Sequence, residues 1–175
     1  MATTLRPSAA APNTLDLSSA IAGTPQGDFH SDRYLRNTAR RLEHLASLGL
    51  DLDNRSVFEV GAGIGDLTSF FLDRNCRIHS TEGRRDNFDV LRQRYQSDPN
   101  VTSELLDLDP PPAHNGKRYD VVFSYGLLYH LSSPSLALDY LANSCADLLL
   151  LETIVIPSGC LLYTSDAADE GLGVD

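Results

Sequence analysis

Three glycines at alternate positions behind a short apolar run constrain this chain more than any other feature. The stretch is Val57-Phe58-Glu59-Val60-Gly61-Ala62-Gly63-Ile64-Gly65-Asp66. Its first four residues read as a buried strand. Glycine has no Cβ, so the turn that follows is free to take positive φ and let a ligand touch the main chain, while the next helix offers unpaired N–H groups at its start. A side chain at 61 or 63 would block that approach. A dinucleotide-binding turn has the order G-x-G-x-x-G, its third glycine packing helix on strand. Here Asp66 holds that place and the third glycine comes one residue earlier.

Downstream, Leu67, Phe70, Phe71 and Arg74 fall at helical spacing, and Asn75-Cys76 ends that helix before a strand from Arg77 to Thr81, closed by Glu82. An acid about 20 positions past such glycines, at the end of the second strand, is where a carboxylate accepts hydrogen bonds from ribose hydroxyls. A helix over 84–95 carries Phe88, Leu91 and Tyr95 on one face. A third strand, Val101 to Leu106, runs into Asp107-Leu108-Asp109 and three prolines, 110–112, that end regular structure. The run from Tyr119 to Leu131 begins as a central strand covered on both faces. Ser133-Pro134 opens a helix with Leu136, Leu138 and Leu141 inside it, and residues 147–155 form a fifth strand containing Glu152. Five strands with four intervening helices predict an α/β doubly wound sheet, whose ligands lie beyond the C-terminal strand ends where strand order reverses.

The segment E-V-G-A-G-I-G, residues 59–65, resembles the first motif of class I S-adenosylmethionine-dependent methyltransferases. Y-G-L-L-Y-H-L at 125–131, followed by L-L-L-L-E-T at 148–153, is similar to a bacterial subgroup with a tRNA wobble-uridine modifying member. The general resemblance spans about residues 30–159 and the subgroup resemblance 119–157. It implies a Rossmann-like methyltransferase sheet with about five of the family's seven strands present, and S-adenosylmethionine as cofactor. It also implies that Glu59, Gly61, Ala62, Gly63 and Gly65 form the cofactor turn and that Glu82 meets the ribose. By the same resemblance Asp107, with Leu108 beside it, meets the adenine, and Ser124 and Tyr125 stand where the fourth strand delivers residues to the methyl group. Asp109, one residue from Asp107, is the alternative adenine contact. His130 has the ordinary titration range of a general base, or is a structural hydrogen-bonder. Tyr129 and Tyr125 line the acceptor site or fill the core. Methyl transfer needs little acid or base chemistry, because a sulfonium is already a good leaving group and alignment provides much of the rate. No metal site is expected, since Cys76 and Cys145 show no ligand spacing.

Residues 1–27, rich in Ala, Thr, Ser and Pro, read as a flexible tail without a secretory signal. A helix over 30–48 follows, with Ser31 or Asp32 as cap, Tyr34, Leu35, Leu42, Leu45 and Leu48 as its apolar face and Gly49 as its stop. The resemblance places such a helix over the cofactor, and Arg33, Arg36, Arg40 and Arg41 on it hold an anionic substrate or form a solvated face. Residues 160–170 can be back-translated into a sequence that resembles the transposase adaptor used to prepare DNA sequencing libraries, and 173–175 fit what would follow its index. Residues 160–175 are read as adaptor sequence, which sequencing of the locus without that chemistry decides, and the methyltransferase domain as residues 28–159 of an incomplete chain. Without them the net charge moves from 14 − 24 = −10 to 14 − 20 = −6. An acidic chain is a poor match to a phosphate backbone, so a small-molecule acceptor is expected ahead of an RNA base. A cofactor-binding domain without turnover and a nicotinamide-dependent oxidoreductase are the rivals, the latter disfavoured by Asp66. The few cysteines fit a reduced, cytoplasmic setting, no stretch is long enough to span a membrane, and the fifth strand leaves a long apolar edge.

Overall fold

The computed structural model describes residues 23–155. Residues 1–22 and 156–175, which include most of the stretch read as a tail and all of the adaptor-like segment, lie outside the described residues. In chain order the elements are α1 (Pro25–Phe29), α2 (Asp32–Ser47), β1 (Ser56–Val60), α3 (Thr68–Leu72), β2 (Arg77–Glu82), α4 (Arg85–Tyr95), β3 (Val101–Leu105), β4 (Tyr119–Tyr125), a 3₁₀ turn (Leu128–His130), α5 (Pro134–Ser144) and β5 (Cys145–Glu152). The five strands form one sheet in the order β3-β2-β1-β4-β5, and every pairing is parallel. Strand order reverses between β1 and β4, so the crevice expected of a doubly wound sheet opens at the end of β1.

Central position explains the burial of β1. Flanked by β2 and β4, it places Val57 at 0% exposure against Phe71, Val121 and Phe123 on one face, and Phe58 at 3% against Val122 and Leu141 on the other. Helix α3 supplies Phe70 and Phe71 to the first face, and α5 supplies Ala137 and Leu141 to the second. Near-continuous apolar strands are what two covered faces require.

Three sequence expectations are corrected. Helix α1 starts at Pro25, inside the stretch read as tail, because Pro at the first helical position and a Thr24 side chain accepting from the Gly27 amide make a start signal. Only three of the four strand-to-strand connections contain an α-helix: residues 106–118 cross from β3 to β4 with none. Prolines at 110, 111 and 112 remove the donors a helix would need. Beneath this crossover a cavity of about 210 Å³ remains, bordered by Phe58, His79 and Tyr119 on the sheet face and by Lys117 of the crossover. Finally, Leu35 and Leu48, read as part of the apolar face of α2, point outward at 46% and 43% exposure, while Leu45 carries the inward contact of that helix. Leu151 on β5 and Ile154 and Val155 after it are also exposed, as the edge reading anticipates. Among the described residues no helix is long and apolar enough to cross a membrane, and no grouping of His, Cys, Asp and Glu is arranged to hold a metal ion.

Candidate functional site

The turn after β1 has positive φ at each alternate glycine: 73° at Gly61, 59° at Gly63 and 84° at Gly65. L-residues with side chains rarely occupy that region. The Gly61 and Ala62 amides both donate to the Thr81 carbonyl, at 3.0 and 2.9 Å, which locks the turn to the end of β2. The three glycines have different neighbours. A Cβ at Gly65 would meet Tyr95 and Leu91 of α4 at 2.6 and 2.7 Å, so this glycine permits helix packing. At Gly61 it would meet Leu127 at 3.1 Å, and at Gly63 the Phe29 ring at 2.4 Å. Tyr95 also donates its hydroxyl to the Gly65 carbonyl at 2.7 Å, clamping the turn from behind.

Glu59 lies beneath the turn at 1% exposure. Its Oε2 accepts from Thr68 and Ser80, both at 2.7 Å, whereas Oε1 has no partner among the described residues. Burial raises its pKa from 4.5 to about 7, against the opposing effect of those two hydrogen bonds. Glu82 stands at the lip: its carboxylate accepts from the Gly63 amide at 2.8 Å and the Arg84 amide at 2.9 Å. The acid after β2 and the glycine turn after β1 are thus joined directly.

Of the two acids after β3, Asp109 is committed to the loop before α5, accepting from the Ser132 amide at 2.8 Å. The Ser132 hydrogen bonds hold its pKa below the usual carboxylate value. Asp107 accepts from the Asp109 amide through Oδ1 at 2.9 Å, and its Cα and Oδ1 would lie 3.5 and 3.7 Å from a Cβ on Gly83. Asp107 is therefore exposed beside the end of β2. Leu108 turns inward at 3% exposure, into the cluster with Phe58 and Val60.

At the end of β4, Ser124 is wholly buried with its hydroxyl unpartnered among the described residues. Tyr125, 9% exposed, packs on Phe123 with ring centroids 4.5 Å apart, and burial pushes its hydroxyl above the ordinary tyrosine value. Tyr129 and His130 project from the 3₁₀ turn with ring centroids 4.2 Å apart. Partial burial, then the nearby Arg84, lowers the His130 pKa, while Glu82 opposes. That coupling puts His130 on the Glu82 side of the crevice.

Several participants carry no local sequence signal. Phe29 reaches the glycine turn from α1. Asp66 has its Oδ1 2.5 Å from Arg94 Nη1 and 3.3 Å from His30 Nε2, which pins the turn to α4 and to the α1–α2 junction. Arg41 Nη2 donates to Glu152 Oε2 at 2.7 Å, joining α2 to the end of β5. Each pair is far apart in sequence, so only the strand order brings its members together.

A turn of three positive-φ glycines, an acid at its lip and a further acid beyond the third strand lie together at the carboxyl ends of a 3-2-1-4-5 sheet, the edge where doubly wound sheets take their ligands. Residues 58–147 match the family model described as methyltransferase domain. The chain belongs to this family, with its class I Rossmann-like sheet, and S-adenosylmethionine is the family's cofactor. No curated protein sequence matches the chain. Among solved structures it is similar to phosphoethanolamine N-methyltransferase 1 of Haemonchus contortus in complex with phosphoethanolamine and S-adenosylhomocysteine. That match has a TM-score of 0.62 and 21% identity, covering 91% of this chain and 35% of that one. A coclaurine N-methyltransferase bound to N-methylheliamine and S-adenosylhomocysteine matches at TM-score 0.56 and 21% identity, covering 65% and 35%. The CurJ carbon methyltransferase matches at 0.56 and 21%, covering 81% and 40%. The chain therefore spans between 35% and 40% of the length of these proteins.

Proposed function

We propose that this chain binds S-adenosylmethionine at the turn after β1 and transfers its methyl group to a small-molecule acceptor. The observation that carries the reading is the hydrogen bond from the Gly63 amide to Glu82, which fixes the acid at the second strand end against the glycine turn. In this reading Gly61 and Gly63 let the cofactor approach the main chain, Glu82 receives the ribose hydroxyls, and Asp107 receives the adenine amino group through Oδ2. Asp66 disfavours a dinucleotide: where that fingerprint has a glycine, this chain has a carboxylate tied to Arg94. When bound, the cofactor supplies an electrophilic methyl on a sulfonium. The chain's own contribution is alignment of acceptor, methyl and sulfur, with water kept from the crevice.

Calorimetric titration with S-adenosylhomocysteine, with NADH as comparison, tests the reading. Binding of the homocysteine ligand alone is expected, and Glu82→Ala is expected to weaken it by roughly tenfold or more through loss of charge-assisted hydrogen bonds. Binding of NADH in its place would overturn the cofactor assignment.

His130 is the group placed to take a proton from a hydroxyl or amine acceptor. Its pKa lies below 6.5, so the imidazole is neutral at pH 7 and able to accept. The acid limb of kcat/KM is accordingly expected below pH 6.5, and His130→Gln is expected to flatten it while reducing the rate by about 10². An unchanged limb in the variant would assign the proton to solvent.

A further inference from the structure

A second polar cluster lies over the ends of β4 and β5. Gly126 turns there with φ of +75°, and a Cβ on it would lie 2.7 Å from Arg41 Nη2 and 3.3 Å from the Tyr129 hydroxyl. The guanidinium and the phenol thus converge on one backbone position immediately after the strand that faces the methyl group. Glu152, at the end of β5, accepts from Arg41 Nη2 at 2.7 Å, and the Gly126 amide donates to the Glu152 carbonyl at 3.0 Å. Tyr34 adjoins Arg41 from the same helix. Its hydroxyl is raised above the ordinary value by burial and then by Tyr129, with Arg41 opposing.

Glu152 and the Tyr34 hydroxyl take two of the five N–H donors of the guanidinium fork, and the Glu152 side chain is 42% exposed against 19% for Arg41. It orients the cation more than it covers it. The other carboxylates of the crevice are engaged elsewhere: Glu82 by the Gly63 and Arg84 amides, Asp109 by Ser132, and Asp107 Oδ1 by the Asp109 amide. At the ends of β4 and β5, Arg41 keeps donors that Glu152 does not take, its planar fork shaped for an oxyanion.

We propose that Arg41 is a specificity-determining residue for the acceptor, selecting small molecules that bear a carboxylate or phosphate, with Glu152 as its positioning residue. The inference rests on the methyltransferase reading above.

The full chain, saturated with S-adenosylhomocysteine, is titrated with 4-hydroxybenzoate, 4-hydroxybenzamide and 4-hydroxybenzylamine, which share a ring and differ in charge. Phenyl phosphate serves as the second anion type. The anions are expected to bind about tenfold tighter than the amide. Arg41→Gln is expected to erase that preference while leaving S-adenosylhomocysteine affinity within about twofold, and Arg41→Lys to restore part of it, since the charge returns without the fork. Glu152→Gln should weaken the preference without abolishing it. Equal binding of all probes, tighter binding of the amine, or no binding of either anion to the cofactor-loaded protein would overturn the proposal. Failure of the homocysteine ligand itself would instead strike the functional reading. Should Arg41→Gln melt early, the lysine variant alone decides the matter.

Discussion

Gly65→Ala is expected to lower stability by about 2–6 kcal/mol, a large share of the total for a domain of this size. Two costs combine. The backbone at Gly65 has φ of +84°, where a non-glycine residue is strained by roughly 1–3 kcal/mol. The new methyl would also lie 2.6 Å from Tyr95 Cε2 and 2.7 Å from Leu91 Cδ1, and overpacking of this kind costs about 1–3 kcal/mol more. Neither neighbour has room to retreat: Leu91 is 0% and Tyr95 9% exposed, packed with Phe88. Gly116→Ala separates the two costs, since φ there is +80° with nothing within 4 Å of the added Cβ. Chemical denaturation of both variants should place Gly116→Ala well above Gly65→Ala, and equal losses would show that backbone strain alone governs the turn. Gly63→Ala is the functional counterpart. Its clash is with Phe29 on the short helix α1, so its effect should appear in ligand affinity more than in melting temperature.

These contrasts mark what the sequence made legible. The turn could be read because its geometry is a property of glycine itself, and Glu82 because its distance along the chain from the turn is set by one helix and one strand. Residue periodicity placed Phe88, Leu91 and Tyr95 correctly, since these three form the buried face that α4 turns to its neighbours. It failed for Leu35 and Leu48, because the spacing of apolar residues does not reveal how wide the covering element is. The helix-free crossover was signalled by the prolines but overruled by the expectation of regular alternation. The Arg41–Glu152 pair, 111 residues apart, was out of reach: it depends on β5 lying beside β4 and on α2 packing across both. Long-range pairs of this kind decide which charges remain available to a substrate, so the chemistry of the acceptor side is the part that sequence alone reports least.

Glu59 shows the same dependence in its energetics. The motif indicates an acid two places before the glycines, but only the strand order shows that β1 is central, so that this carboxyl is cut off from water. With a pKa of about 7 when folded against 4.5 as the ordinary value, the folded chain holds a proton that the unfolded chain releases across that interval. Stability must then fall as pH rises from about 4.5 to about 7, and level off above it. A displacement of this size corresponds to roughly 3 kcal/mol between the two plateaus. Glu59→Gln removes the titrating group, so its denaturation midpoint should lose that part of the slope between pH 5 and 8. The level of the curve is a poorer guide than its slope, because glutamine would put an amide NH₂ where Oε1 now lacks a partner among the described residues, and an unsatisfied donor costs about 1–3 kcal/mol by itself. Parallel pH profiles for wild type and variant would mean that the carboxyl is ionised in the folded chain, held so by Thr68, Ser80 and the charge of Arg94. The glycine turn would then rest on a buried anion instead of a neutral acid.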